Sequence, residues 1–334
     1  MLNAYERRYS MRSVMRPLCW LALTCAAMGC EQPRVVQVQA PVTAALQTPT
    51  LLPWDTAVGR IIGDESASEG PESFALLPDG GLLVLDQINF RILRLDPDGQ
   101  VAGTIELPAD TFEDVEQYQG RAVLALDRFV GKVLRVMDLE GVLIREIPIE
   151  GSGVDNGGSI TAMLTRPDGV WLEVDRRHSV RVLDRDLRPC VRQVVLGQPI
   201  VNGQSLRVDL DGNGGVIVST AGRTEREAAQ SVTLVGDAPI ERVPWLDADE
   251  RGHVHIVLHE IQRSATSPYG IEDERYVVVE LDQQLRELNR MPSSWVRTEY
   301  DQFAEFRLGR DGRIWQMAFT PDGVQFVDLG RGQP

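Results

Sequence analysis

The chain has 334 residues, 43% hydrophobic and 6% aromatic, with a formal net charge of −15. That balance is the composition of a folded globular protein. So acidic a surface, with no basic run in it, excludes recognition of a nucleic-acid phosphate backbone.

The N-terminus carries Arg12 and Arg16 ahead of an apolar stretch from Leu18 to Ala27. A positive start followed by an apolar run too short to span a bilayer predicts an export signal. The run ends at Ala27-Met28-Gly29-Cys30, which resembles the lipobox of bacterial lipoproteins. The resemblance implies a signal peptide over residues 1–29, acylation at Cys30, and a place in the bacterial cell envelope, periplasmic or associated with the outer membrane. Without that leader, which holds four arginines and one glutamate, the charge falls from −15 to −18. Only Cys30 and Cys190 then remain, so no multi-disulfide framework is expected, and Cys190 reads as a small buried residue. Residues 30–52, rich in Gln, Pro, Thr and Val without a sustained period, read as a flexible tether. The folded domain is expected over residues 53–334.

That domain is built on one recurring pattern: an apolar strand, an Asp-Gly turn, a second apolar strand ending in Asp, then a strand carrying a basic residue. The clearest copy runs from Phe74 through Pro78-Asp79-Gly80 and Leu82-Leu83-Val84-Leu85-Asp86 to Arg91 and Asp96-Pro97-Asp98-Gly99. Asp-Gly supplies the positive φ of a tight hairpin. Leu82 to Leu85 are apolar at every position, as in a strand buried on both faces. Further copies centre on Val123–Asp127, Asp168–Asp175, Gly214–Val218, Gly252–Leu258 and Asp311–Met317. Repeats of about 40–50 residues, each of about four short strands, predict an all-β fold, a six-bladed β-propeller of four-stranded blades. The last copy stops after three strands. The stretch Ala57-Val58-Gly59-Arg60-Ile61-Ile62 is expected to complete it as an N-terminal closing strand, which removes exposed sheet edges.

Asp86, Asn89, Arg91 and Ile92 in the first copy resemble the core of the NHL repeat, and Asp127, Lys132 and Val133 carry part of it in the second. The resemblance implies a propeller and little about activity. Asp86 and Arg91 are expected to form a structural charge pair between adjacent strands.

Long connections are expected to gather on one face: Pro108 to Gln117, Glu150 to Ser159, Gly197 to Gln204, His259 to Glu274 and Met291 to Ala304. With Asp110, Glu113, Asp114 and Glu116 as an acidic rim and Tyr269, Trp295 and Tyr300 as aromatic anchors, this face suits a protein, peptide or glycan ligand. His253, His255 and His259 fall on one side of a strand, but His253 and His259 would stand ~20 Å apart, too far to share an ion. Enzymes on related propellers include calcium-dependent lactonases, streptogramin lyases and peptide-amidating lyases. By that analogy Glu72, Asp114, Glu116 and Glu305 would sit where channel ligands sit. No motif of those enzymes accompanies them. The expectation is therefore an envelope-anchored binding or scaffold lipoprotein with no required cofactor. The alternative is a hydrolase or lyase dependent on calcium or zinc, with Glu72, Glu305 and His259 as metal ligands at the central channel.

Overall fold

The computed structural model describes residues 50–63, 68–201, 203–221, 230–266, 270–293 and 300–329, without the side chains of residues 300 and 301. The signal, Cys30, the tether up to residue 49, Tyr269 and Trp295 lie outside the described residues. No described helix is long and apolar enough to cross a membrane.

Six four-stranded antiparallel sheets follow one another around a ring. Blade 1 runs Ser73–Leu76, Leu82–Asp86, Arg91–Leu95 and Val101–Glu106 from axis to rim. Blade 2 repeats it with Asp114–Tyr118, Ala122–Asp127, Val133–Met137 and Leu143–Pro148. Blade 3 uses Ile160–Arg166, Gly169–Val174, His178–Asp184 and Pro189–Leu196. Blade 5 has the longest strands, Ile240–Ala248, Val254–Arg263, Ile271–Leu281 and Glu287–Pro292. Every residue of Leu82–Asp86, Ala122–Asp127 and Gly169–Val174 is buried, because second strands are covered by neighbouring sheets on both sides. Each leucine buried there contributes about 1.5–3 kcal/mol relative to exposure. Cys190 departs from expectation: it sits half-buried on the rim strand of blade 3, which is covered on one side only.

Blade 4 is the irregular one. Its inner strand is only Gln198–Pro199, followed by Ser205–Leu210, Gly215–Ala221 and Gln230–Val235. The sequence pattern points to Leu206–Leu210 as the first strand of this blade. In the structure it is the second, and the stretch expected as a long loop from Gly197 contains the inner strand instead. With so short a strand before it, Ser205–Leu210 is left facing the axis.

Blade 6 holds Phe306–Leu308, Ile314–Thr320 and Gly323–Asp328, and its rim strand comes from the N-terminal side of the chain. That strand is Leu51–Pro53, with Leu51 opposite Gln325 and Pro53 opposite Gly323. The closure is of the expected kind but uses other residues: Ala57–Ile62 does not enter the sheet, and Leu51–Pro53 begins inside the stretch read as tether. The reason lies in blade 1. Asp86 accepts from the Gly59 amide at 2.9 Å, and Arg91 donates to the Ala57 carbonyl at 2.8 Å, so the backbone of this stretch is already engaged. Asp86 also accepts from Asn89 at 2.9 Å and pairs with Arg91 at 2.8 Å, the expected charge pair. A second seam joins the chain ends, where Ser68–Glu69 pairs in parallel with Tyr300–Asp301.

By the antiparallel register, all inner strands start at one face of the ring, called here the loop face, and end at the opposite turn face. On the turn face one device recurs. Asp96, Asp138, Asp184 and Asp282 each accept, through Oδ1, from the amides two and four residues on, at 2.8 to 3.1 Å. These Asx-type bonds replace backbone partners that a tight turn lacks. They hold the Asp184 and Asp282 carboxyls below the usual range through backbone N–H donors.

Candidate functional site

A cavity of about 770 Å³ runs along the ring axis, walled by residues of all six blades. Its walls are charged, and the charges are fixed by two arginines.

Arg307, in the middle of the inner strand of blade 6, is almost buried. It pairs with Asp114 at 2.5 Å and with Glu116 at 3.0 Å, both on the inner strand of blade 2. It also donates to the Phe74 carbonyl at 2.8 Å and the Ser73 hydroxyl at 3.0 Å, on blade 1 between them. Ser73 in turn donates to Asp114 at 2.5 Å. Arg166, at the end of the inner strand of blade 3, donates to the Pro199 carbonyl of blade 4 at 2.6 Å and to Asp247 of blade 5 at 2.5 Å. Each guanidinium therefore laces three consecutive blades with charge-assisted bonds. Burial pushes the Glu116 carboxyl up to about 7, with Arg307 opposing and Asp114 adding to the rise. Burial also raises Asp114, against the pull of Arg307.

The residues expected on an exposed acidic rim are distributed otherwise. Asp110 is exposed on the loop face as expected. Glu113 is half-buried and pairs with Arg128 at 3.0 Å. Asp114 and Glu116 are not rim residues. The inner strand of blade 2 begins at Asp114, so both belong to the channel wall, where Arg307 neutralises them. The backbone of Tyr300 lies in the seam with Ser68.

Of the three residues expected as metal ligands only Glu305 lines the cavity, and each of the three has its own partner. Glu72 accepts from the Phe303 amide at 3.0 Å, and burial pushes its carboxyl up to about 7. Glu305 accepts from the Gln316 side chain at 2.7 Å. His259 has both ring nitrogens occupied: Arg242 Nε donates to Nδ1 at 3.0 Å, which places the imidazole proton on Nε2, 2.7 Å from Glu274. Burial lowers the pKa of this histidine, with Glu274 opposing. Among the described residues no three His, Cys, Asp or Glu side chains gather closely enough to hold a metal ion. His253 and His255 turn to separate carboxylates, Glu280 at 3.0 Å and Asp249 at 3.7 Å.

Sequence reasoning missed the arginines of this channel: Arg166, Arg176, Arg207, Arg242, Arg307 and Arg310. One signal was available, since Arg307 interrupts the apolar run Phe306-Arg307-Leu308 of an innermost strand. Which carboxylate would meet it, 193 residues away in the chain, is set by ring closure alone.

Fold and site together define a six-bladed β-propeller with a charged axial cavity. No protein-family model matches the chain, and no curated protein sequence does. Among solved structures it is similar to hydrazine synthase of Kuenenia stuttgartiensis, at 13% identity and a TM-score of 0.53, over 81% of this chain and 80% of that one. It also aligns with a member of the DUF4221 family from Bacteroides vulgatus, at 11% identity and a TM-score of 0.48, over 81% of this chain and 95% of that one. Virginiamycin B lyase from Staphylococcus aureus aligns at 12% identity and a TM-score of 0.42, over 78% of this chain and 95% of that one. At such identities the likeness is one of fold.

Proposed function

We propose that this chain is an exported, lipid-anchored binding protein of the bacterial envelope that receives a peptide, glycan or protein segment at the loop-face mouth of its channel. One observation carries the reading. The cavity is large and its polar walls are held rigid by ion pairs, the preorganised surface that recognition needs. All four histidines of the chain are described, and their hydrogen bonds and ion pairs run to carboxylates, a carbonyl and an arginine, with the His259 ring stacked on Tyr276. The export signal and Cys30 supply the envelope location.

The test uses the full chain with a photo-crosslinking residue in place of Asp110, exposed on the loop face, or of Asp98, exposed on the turn face. Capture of an envelope component from Asp110 and not from Asp98 is expected. Equal capture at both faces overturns the reading, and so does capture at neither. Replacing Cys30 by Ser is expected to move the chain from membrane to soluble fractions.

A second reading, a calcium- or zinc-dependent hydrolase or lyase, has one observation in its favour. The Glu116 carboxyl, raised to about 7 in the cavity wall, would exchange protons at neutral pH. Stoichiometric metal in protein purified without chelators, together with turnover of lactones or esters, would place it ahead of binding.

A further inference from the structure

We propose that the loop-face mouth of the channel contains an anion subsite, in which Arg176 and Arg242 hold the carboxylate of a small polar ligand. The inference rests on the binding role above and gives its ligand a charge.

The two arginines reach the same mouth from different blades. Arg176 stands in the turn between the second and third strands of blade 3, in left-handed backbone conformation at φ 55°. Its Nη1 donates to the Val243 carbonyl of blade 5 at 3.1 Å, a reach past blade 4. Blade 4 gives room for it, because its inner strand is two residues long. Val243 follows Arg242 in the chain, so the Arg176 guanidinium is tied to the backbone beside its partner. Arg242 is held from behind. Its Nε donates to His259 and its Nη2 to the Tyr276 hydroxyl at 2.5 Å. Both of these partners are uncharged, since the His259 proton sits on Nε2 toward Glu274.

Both side chains line the cavity, and they differ from its other arginines in one respect. Arg166 is paired with Asp247, Arg307 with Asp114 and Glu116, Arg207 with Asp209, and Arg310 with Glu250. Among the described residues no carboxylate pairs with Arg176 or Arg242. The chain has 49 Asp and Glu against 34 Lys and Arg, so carboxylates are in surplus. Two cations left without one, both lining the cavity at its loop-face mouth, form a place of opposite sign in an acidic molecule. Steering by the whole protein opposes a free anion, whereas the local site attracts one. A guanidinium presents its N–H groups as a planar fork that matches a carboxylate, and Arg242 has donated only two of its five. A cavity of about 770 Å³ accommodates a ligand of disaccharide or dipeptide size behind that carboxylate.

The experiment follows the arginine Nε–Hε resonances of the full exported chain in detergent, labelled with ¹⁵N at arginine. Two probes are titrated into the millimolar range, glucuronate and N-acetylglycine, each beside its methyl ester. Saturable shifts of the Arg176 and Arg242 signals with an acid, absent with its ester, are expected. A response to glucuronate alone assigns the carboxylate to an acidic sugar, and a response to N-acetylglycine alone assigns it to a peptide terminus. Arg176→Ala, a change on an exposed turn that leaves the core untouched, is expected to weaken binding about tenfold with an unchanged Tm. Arg242→Lys, which keeps the charge and loses the fork, is expected to do the same. The subsite is overturned if neither signal moves with either acid, or if the esters act equally. Unchanged capture from Asp110 in the Arg176→Ala chain would remove the subsite and leave the binding role standing.

Discussion

At the scale of single residues, the unusual feature is a set of carboxyls raised by burial against the pull of their partners: Glu72, Glu113, Asp114 and Glu116. Glu72 is the clearest, because burial outweighs both its hydrogen bond from the Phe303 amide and the attraction of Arg128. Its folded pKa, about 7, lies above the ordinary 4.5. A carboxyl raised on folding favours the protonated form in the native state. Its contribution to stability is full below pH ~4.5 and is lost as pH rises through about 7, where the buried group must ionise. Glu72→Gln keeps an acceptor for the Phe303 amide and has no charge to bury. Thermal unfolding should therefore show the variant more stable than the parent at pH 8 and equal to it at pH 4. A parent whose Tm does not decline relative to the variant over that range would contradict this account. The sequence supplies Glu72 as a channel-side acid. It does not supply the burial, which comes from the seam between residues 69–73 and 300–304, far apart in the chain.

At the scale of elements, the repeat was legible and its exceptions were not. Asp-Gly turns, fully apolar second strands and the Asp86–Arg91 pair all follow from local chemistry, and the structure has each of them. The closing strand was misplaced by a few residues, because Ala57–Ile62 and Leu51–Pro53 look alike as short apolar stretches. Only the contact of Asp86 and Arg91 with Ala57 and Gly59 decides between them. The two segments make opposite predictions. Leu52 is 3% exposed among Phe326, Val324 and Trp54, whereas Ile61 is 51% exposed. Leu52→Asp should cost about 3–5 kcal/mol in urea unfolding, by burying a charge in an apolar site. Ile61→Asp should stay within about 0.5 kcal/mol. The reverse order would restore Ala57–Ile62 as the closing strand. The short inner strand of blade 4 was illegible for a related reason: two residues, Gln198 and Pro199, carry no periodicity, and the apolar Leu206–Leu210 took their place in the pattern.

At the scale of the molecule, apolar clusters fill the seams between blades 1 and 2, 2 and 3, 4 and 5, 5 and 6, and 6 and 1. Among the described residues no such cluster fills the seam between blades 3 and 4, where polar bridges accompany the buried Leu164 and Trp171. Gln198 donates to Glu173 at 2.9 Å, Ser179 to the Gly197 carbonyl at 2.8 Å, and Arg166 to the Pro199 carbonyl at 2.6 Å. Hydrogen bonds exchange with water at less net cost than apolar surface, so this seam should open first. Hydrogen exchange should show the amides of Ser205–Leu210 losing protection before those of Leu82–Asp86 and Ala122–Asp127. Uniform protection across the three strands would mean that the ring opens as a whole.

The two lacing arginines have a consequence for how such a ring can move. Arg307 fastens blades 6, 1 and 2, and Arg166 fastens blades 3, 4 and 5, so the ring falls into two laced halves, called here jaws. The joints between them are packed with hydrocarbon and are crossed by single arginines: Arg128 donates to the Ile160 carbonyl at 2.7 Å, Arg192 to the Pro148 carbonyl at 3.1 Å, and Arg310 faces Glu250 at 3.8 Å. Arg176 and Arg242 both ride on the second jaw. A ligand held between them sits within one jaw and does not bridge the two.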